Sequence, residues 1–111
     1  MTMKTQVVKR TSQDVPRSAS NPAAGIVADT IEHHGLTQKD VAAAMQISSG
    51  LLSDIIRDKK RISVELALRI EACIGLPADF LIKLQGYHEY CIAYHKQGAA
   101  LKKEIPRLVP V

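Results

Sequence analysis

Apolar residues recur at three- and four-residue spacings through most of the chain, and alternation with a period of two is rare. The pattern predicts five helices. The first runs from Pro22 to about His34. Asn21 is a good N-cap and proline suits the first helical position. Ile26, Val27, Thr30 and Ile31 share one face, and Gly35 ends it. The second opens at Thr37, where Thr37 and Asp40 have the spacing of a capping box, with Val41, Ala42 and Met45 turned inward. Ser48 caps a third helix reaching Arg57, with Leu51, Leu52, Ile55 and Ile56 as its buried side. Asp58 to Arg61 is a turn. Ser63 caps a fourth helix from Val64 to about Ile74. Its stripe is Leu66, Ala67, Ile70 and Ile74, Glu65 suits the helix dipole, and Gly75 stops it. Pro77 opens a fifth helix reaching about Lys96, and Gly98 precedes a tail broken by Pro106 and Pro110.

The expected organisation is therefore an all-α domain over residues 21–96, between a flexible arm (1–20) and a C-terminal tail (97–111). The stretch Gln6-Val7-Val8-Lys9 suits a short strand against a partner. With 111 residues there is room for one domain, and with no Trp the core must rest on aliphatic side chains. No apolar run is long enough to cross a membrane, and no secretory segment opens the chain. Cys73 and Cys91 fall in helical patterns, so two reduced thiols in a cytoplasmic protein are expected.

The net charge of +4 is unevenly placed: +3 over residues 1–22, +2 over 97–111, and −1 between them. The one dense basic cluster of the central domain is Arg57, Lys59, Lys60 and Arg61, which suits phosphate contact or a solvated loop.

The feature that carries function is the pair of short helices joined by a tight turn. Val41, Met45, Ile47, Leu52 and Ile55 are spaced so that both helices share one core, and Ala42 is small where they cross. Such a helix-turn-helix lets its second helix lie in the DNA major groove. The turn after Met45 favours glycine because its backbone tends to positive φ; here it holds Gln46.

From Leu36 through Thr37-Gln-Lys-Asp-Val-Ala-Ala-Ala-Met-Gln-Ile-Ser-Ser-Gly-Leu-Leu-Ser-Asp-Ile-Ile-Arg57, the sequence resembles the Xre/Cro-type helix-turn-helix family. With Lys60-Arg-Ile-Ser-Val-Glu-Leu-Ala-Leu-Arg-Ile70 and Pro77-Ala-Asp-Phe-Leu-Ile-Lys-Leu-Gln85, it is similar to the HigA-like antitoxin branch. Asn21-Pro22 stands where that branch often has His-Pro, and Phe80 where it often has Trp. The resemblance covers about Asn21 to Tyr90. It implies a five-helix, lambda-repressor-like DNA-binding domain, a homodimer on a near-palindromic operator, repression of its own operon, and pairing with a protein toxin, commonly a small ribonuclease.

On this reading the DNA-binding residues are Thr37, Gln38, Ser48, Ser49, Gly50, Ser53, Asp54, Arg57, Lys59, Lys60 and Arg61. Thr37 and Gln38 open the second helix, whose amides suit a phosphate; an exposed Gln38 assisting the cap is the plain alternative. Ser48, Ser49 and Gly50 stand at the end of the third helix that approaches base edges. They allow close approach but discriminate little, and only Arg57 offers the bidentate guanine contact. Specificity is then expected from DNA shape, water or the arms. Asp54 repels phosphate unless it orients Arg57 or accepts from cytosine, and it reads more simply as a solvated side chain. Ser53 is equally suited to local packing. One phosphate per basic residue of the cluster in a dimer gives a salt slope of about −7.

Other constellations carry less. His88, Cys91 and His95 share a helix face but span two turns, so a metal site is not expected, and no cofactor is implied. Tyr87, Tyr90 and Tyr94 suit a dimer interface. No phosphate loop, nucleophile elbow or paired acids point to an enzyme. Two rivals remain: a stand-alone phage-type regulator, and a protein-neutralising module without DNA binding.

Overall fold

The structure is a computed structural model that describes residues 7–110. Among them every regular element is helical: α1 (Pro22–His33), α2 (Gln38–Met45), α3 (Ser49–Ile56), α4 (Val64–Ile74), α5 (Ala78–Ala93), a π-helical turn (Tyr94–Gly98) and α6 (Ala99–Glu104). No helix among the described residues is long and apolar enough to cross a membrane.

The helix starts follow from side-chain caps. Asn21 Oδ1 accepts from the Ala23 N–H (3.0 Å), Thr37 Oγ1 from Asp40 (3.1 Å), Ser48 Oγ from Leu51 (3.0 Å) and Ser63 Oγ from Leu66 (3.2 Å). The helix ends follow from left-handed residues at Gly35, Gln46, Asp58 and Gly75. After α1, α2 and α3 the paired bonds are those of a Schellman motif. For α2 they run from the Gln46 N–H to Ala43 O and from the Ile47 N–H to Ala42 O.

The chain divides into two compact units, residues 19–89 and a second one formed by the described residues of 7–18 and 90–110. In the first unit, Val27, Ile31, Val41, Met45, Leu52, Ile55, Ile62, Leu66, Ile70 and Leu81 form one aliphatic core. α2 packs on both α3 and α4, and α1 packs on the same two helices. Ala42, fully buried on α2, keeps that helix close to its neighbours.

Three polar side chains are buried in this unit, Asn21, Gln85 and His88. Gln85 on α5 is completely buried. Its Oε1 accepts from the Ile62 N–H (2.7 Å) and from Asn21 Nδ2 (3.1 Å), and its Nε2 donates to Ile62 O (2.8 Å). Ile62 lies between α3 and α4, where neither helix satisfies its backbone, so the side-chain amide of Gln85 stands in for a strand partner.

The second unit is held by polar contacts. Tyr94 Oη donates to Arg10 O (2.9 Å), Arg10 Nη1 donates to Tyr90 Oη (3.0 Å), and His95 Nε2 lies 2.7 Å from Val15 O. The Lys102 ammonium donates to Arg10 O and to Tyr94 Oη and lies over the Tyr94 ring. Asp14 Oδ2 accepts from the Thr11 N–H and hydroxyl (2.9 and 3.1 Å), and these bonds hold its carboxyl below the usual range.

One expectation changes here. Gly98 does not end the last helix. It has helical torsions (φ −60°, ψ −42°), and helix continues to Glu104 because Ala99 to Glu104 are strong helix formers. Helix then stops at Ile105, the residue before Pro106. What glycine supplies at 98 is room, since a Cβ there would stand 3.3 Å from the Tyr94 ring. Val7 to Lys9 have no regular structure in the single chain, the expected strand being one formed against a partner, and Gln6 lies outside the described residues. Tyr90 and Tyr94 both bond Arg10 within their own unit, and Tyr87 is exposed.

Replacing Gln85 with Leu keeps bulk but strands the Ile62 amide, the Ile62 carbonyl and the Asn21 side chain. The expected cost is about 3–4 kcal/mol, from a penalty of ~1–3 kcal/mol per orphaned buried group partly relieved by water. Urea unfolding measures it as a lower midpoint with an unchanged slope.

Candidate nucleic-acid interface

α3 is short, with its apolar side anchored by fully buried Leu52 and Ile55. The opposite side carries exposed Ser49, Gly50 and Asp54, with half-buried Ser53, and exposed Arg57 follows as its C-cap. From Ser49 to Arg57 the face extends about 12 Å at 1.5 Å per residue, a length suited to a few base pairs of groove. Thr37 and Gln38 are exposed at the start of α2. The Thr37 and Ser48 hydroxyls accept cap bonds, which leaves each O–H able to donate outward. A Cβ added to Gly50 would meet nothing within 4 Å, so neither packing nor backbone torsion requires glycine there.

The α2–α3 turn forms with Gln46 at φ 61°, ψ 41°. The strain of a left-handed non-glycine residue, about 1–2 kcal/mol, is opposed by neighbouring contacts. Arg69 Nη1 donates to Met45 O (2.8 Å), satisfying a carbonyl at the negative end of α2, while its Nη2 pairs with Glu65 (2.9 Å).

The basic turn after α3 is shaped in the same way. Asp58 is left-handed at φ 60°. Its carboxylate accepts from the Asn21 N–H (3.1 Å), and the Lys59 and Lys60 amides both donate to Asp54 O (2.8 and 3.2 Å). Asp54 therefore holds the turn through its backbone. It makes no ion pair with Arg57 among the described residues, so the idea that it orients that side chain does not hold in this structure. Lys59 and Lys60 are exposed and in no such pair either. Arg61 differs: its Nε lies 3.0 Å from Glu89 Oε1, in an exposed pair worth about 0–1 kcal/mol.

Over residues 19–89, seven Lys and Arg stand against nine Asp and Glu. Four of the seven cations fall between Arg57 and Arg61. An acidic body with one basic edge beside the exposed side of α3 is suited to place a polyanion there and nowhere else on this unit. Asp58, Gln85, Arg69 and Glu89 shape the site without belonging to the expected set. The only sequence sign of Gln85 was its place on the apolar side of α5, four residues after Leu81.

The same arrangement recurs in known proteins. Residues 28–81 match the family model described as Helix-turn-helix. This segment has the helix-turn-helix fold. The resemblance to the HigA-like branch also holds in three dimensions. A Pseudomonas aeruginosa antitoxin HigA, solved with the higBA promoter, superimposes with a TM-score of 0.72 at 25% identity, over 78% of this chain and 96% of that one. PA4674 of the same organism, in complex with 28-bp operator DNA, has the same TM-score, identity and coverage. A HigA-family addiction module antidote protein from Coxiella burnetii gives 0.69 at 20% identity, over 78% and 95% of the two chains, and shows the shared fold. No curated protein matches the chain significantly by sequence.

Gln46→Gly in the helix-turn-helix removes the left-handed strain. Offset by the greater unfolded freedom of glycine, it is expected to raise stability by about 0.5–1 kcal/mol, read as a higher urea midpoint.

Proposed function

We propose that this chain is a non-enzymatic DNA-binding repressor that sets α3 into the major groove of a near-palindromic operator as a homodimer. It regulates its own operon in the cytoplasm as the antitoxin of a toxin–antitoxin pair, and neutralises a protein toxin, of which a ribonuclease is the kind the family resemblance implies. The observation that carries the DNA half is the exposed side of α3 continuing directly into the unpaired cations of the Arg57–Lys60 turn. The shared architecture with HigA solved on its promoter and with PA4674 on operator DNA supports it.

In this reading Ser49, Gly50, Ser53 and Asp54 face base edges. Thr37, Gln38 and Ser48 hold the backbone through helix-end amides and hydroxyls, and Arg57, Lys59 and Lys60 clamp phosphates. Arg61 joins only by exchanging Glu89 for phosphate. Six committed cations per dimer, rather than eight, give a salt slope of about −5. The mild reading face makes shape and water the main sources of specificity.

The test is fluorescence anisotropy with duplex from the gene's own upstream region beside a scrambled duplex, at two salt concentrations. Selective, salt-sensitive binding that Lys59→Glu with Lys60→Glu weakens at least a hundredfold supports the reading. Equal, weak binding to both duplexes contradicts it and favours a protein-neutralising module. Gly50→Ala sharpens the test. It should leave the unfolding midpoint unchanged or higher by up to about 1 kcal/mol, since alanine is the better helix former, yet weaken operator binding about tenfold by holding α3 off the bases.

A further inference from the structure

The second unit carries a groove that the DNA-binding reading does not use. It has a volume of about 510 Å³, within the range of sites that receive a compact ligand or a pair of side chains. Val8, Leu101, Ile105 and Pro106 line it with aliphatic surface, and Lys9, Arg10, Lys102 and Arg107 stand around that surface. The apolar residues are open to solvent, with Val8 at 59% and Ile105 at 61% exposure.

Charge sets the kind of occupant. The described residues of this unit hold seven Lys and Arg against two acids, Asp14 and Glu104, whereas residues 19–89 carry an acidic surplus. Asp14 is already bonded to Thr11. Lys9 and Arg107 are in no ion pair among the described residues. The walls are set by specific contacts rather than by loose chain. Tyr94 and Lys102 fix the Arg10 carbonyl, and the Arg107 Nε donates to Val109 O (2.8 Å), shaping the segment after Ile105. Nucleic acid would satisfy the cations but would leave the aliphatic floor wet. A segment with apolar side chains flanked by carboxylates satisfies both.

We propose that this groove is a docking site for an acidic protein segment, with Leu101, Ile105 and Val8 receiving its aliphatic side chains and Lys9 and Arg107 pairing with its carboxylates. The site rests on the second unit alone and is independent of the operator-binding reading.

The test uses the full chain and a fluorescein-labelled twelve-residue peptide repeating Asp-Glu-Leu-Ile-Glu-Asp. Comparison probes replace Leu-Ile with Ser-Ser, or the acids with Lys; a twelve-nucleotide oligothymidylate is the fourth. The expected result is saturable binding of the acidic aliphatic peptide, at least tenfold tighter than any other probe. Leu101→Asp with Ile105→Asp should abolish it while the helical circular dichroism and the urea midpoint stay unchanged, which shows that the variant is folded. Lys9→Glu with Arg107→Glu should weaken it at least tenfold and reduce its salt dependence. Equal binding of the Ser-Ser peptide, or tighter binding of the oligothymidylate, would overturn the proposal in favour of a general polyanion surface. Absence of peptide binding, or a groove covered by a second copy whose association the Asp variants abolish, would overturn it too.

Discussion

Between α3 and α4 the backbone of Ile62 is withdrawn from water at a point where no helix can satisfy it. The Gln85 side chain supplies both missing partners. Because the same Oε1 also accepts from Asn21, one side chain of α5 ties together the start of α1 and the loop entering α4. An aliphatic core is tolerant of small shifts. A two-point amide contact is not, and it fixes the loop where the surrounding aliphatic side chains would let it slide.

That constraint reaches the surface through Asn21. Its side chain is held by Gln85 and caps α1, and its backbone N–H holds the Asp58 carboxylate. Asp58 is the left-handed residue that turns the chain out of α3. Lys59 and Lys60, the cations that the proposed interface most depends on, follow it directly. The buried Gln85 amide and the Lys59–Lys60 turn are thus linked through two hydrogen-bonded residues, Asn21 and Asp58, with no long flexible segment between them. Arg61 is restrained differently, by Glu89 on the same α5 that carries Gln85.

The helices of the first unit were legible because their boundaries are chemical. Asn21, Thr37, Ser48 and Ser63 cap as their spacing implied, and Gly35 and Gly75 take the left-handed ends that only glycine adopts without strain. The Gln46 turn was legible as a departure, and it keeps its geometry with Arg69 in support. Gln85 was not legible, since a lone amide on an apolar stripe reads as surface until the loop it serves is known. Nor was the left-handed Asp58, whose partner lies 37 residues away. The extent of the last helix was misread at Gly98 because glycine there serves the Tyr94 ring, not a stop. The candidate residues of the proposed interface come from pattern and resemblance. That Arg61 is already paired, and that Asp54 works through its carbonyl, are facts of three dimensions.

Native-state hydrogen exchange at the Ile62 amide tests this account most directly. If the Gln85 contact anchors the loop, the Ile62 N–H exchanges only through global unfolding, with an opening free energy within about 1 kcal/mol of that from urea denaturation. Exchange as fast as that of the exposed loop around it would contradict the account and show the basic turn to be held by something else.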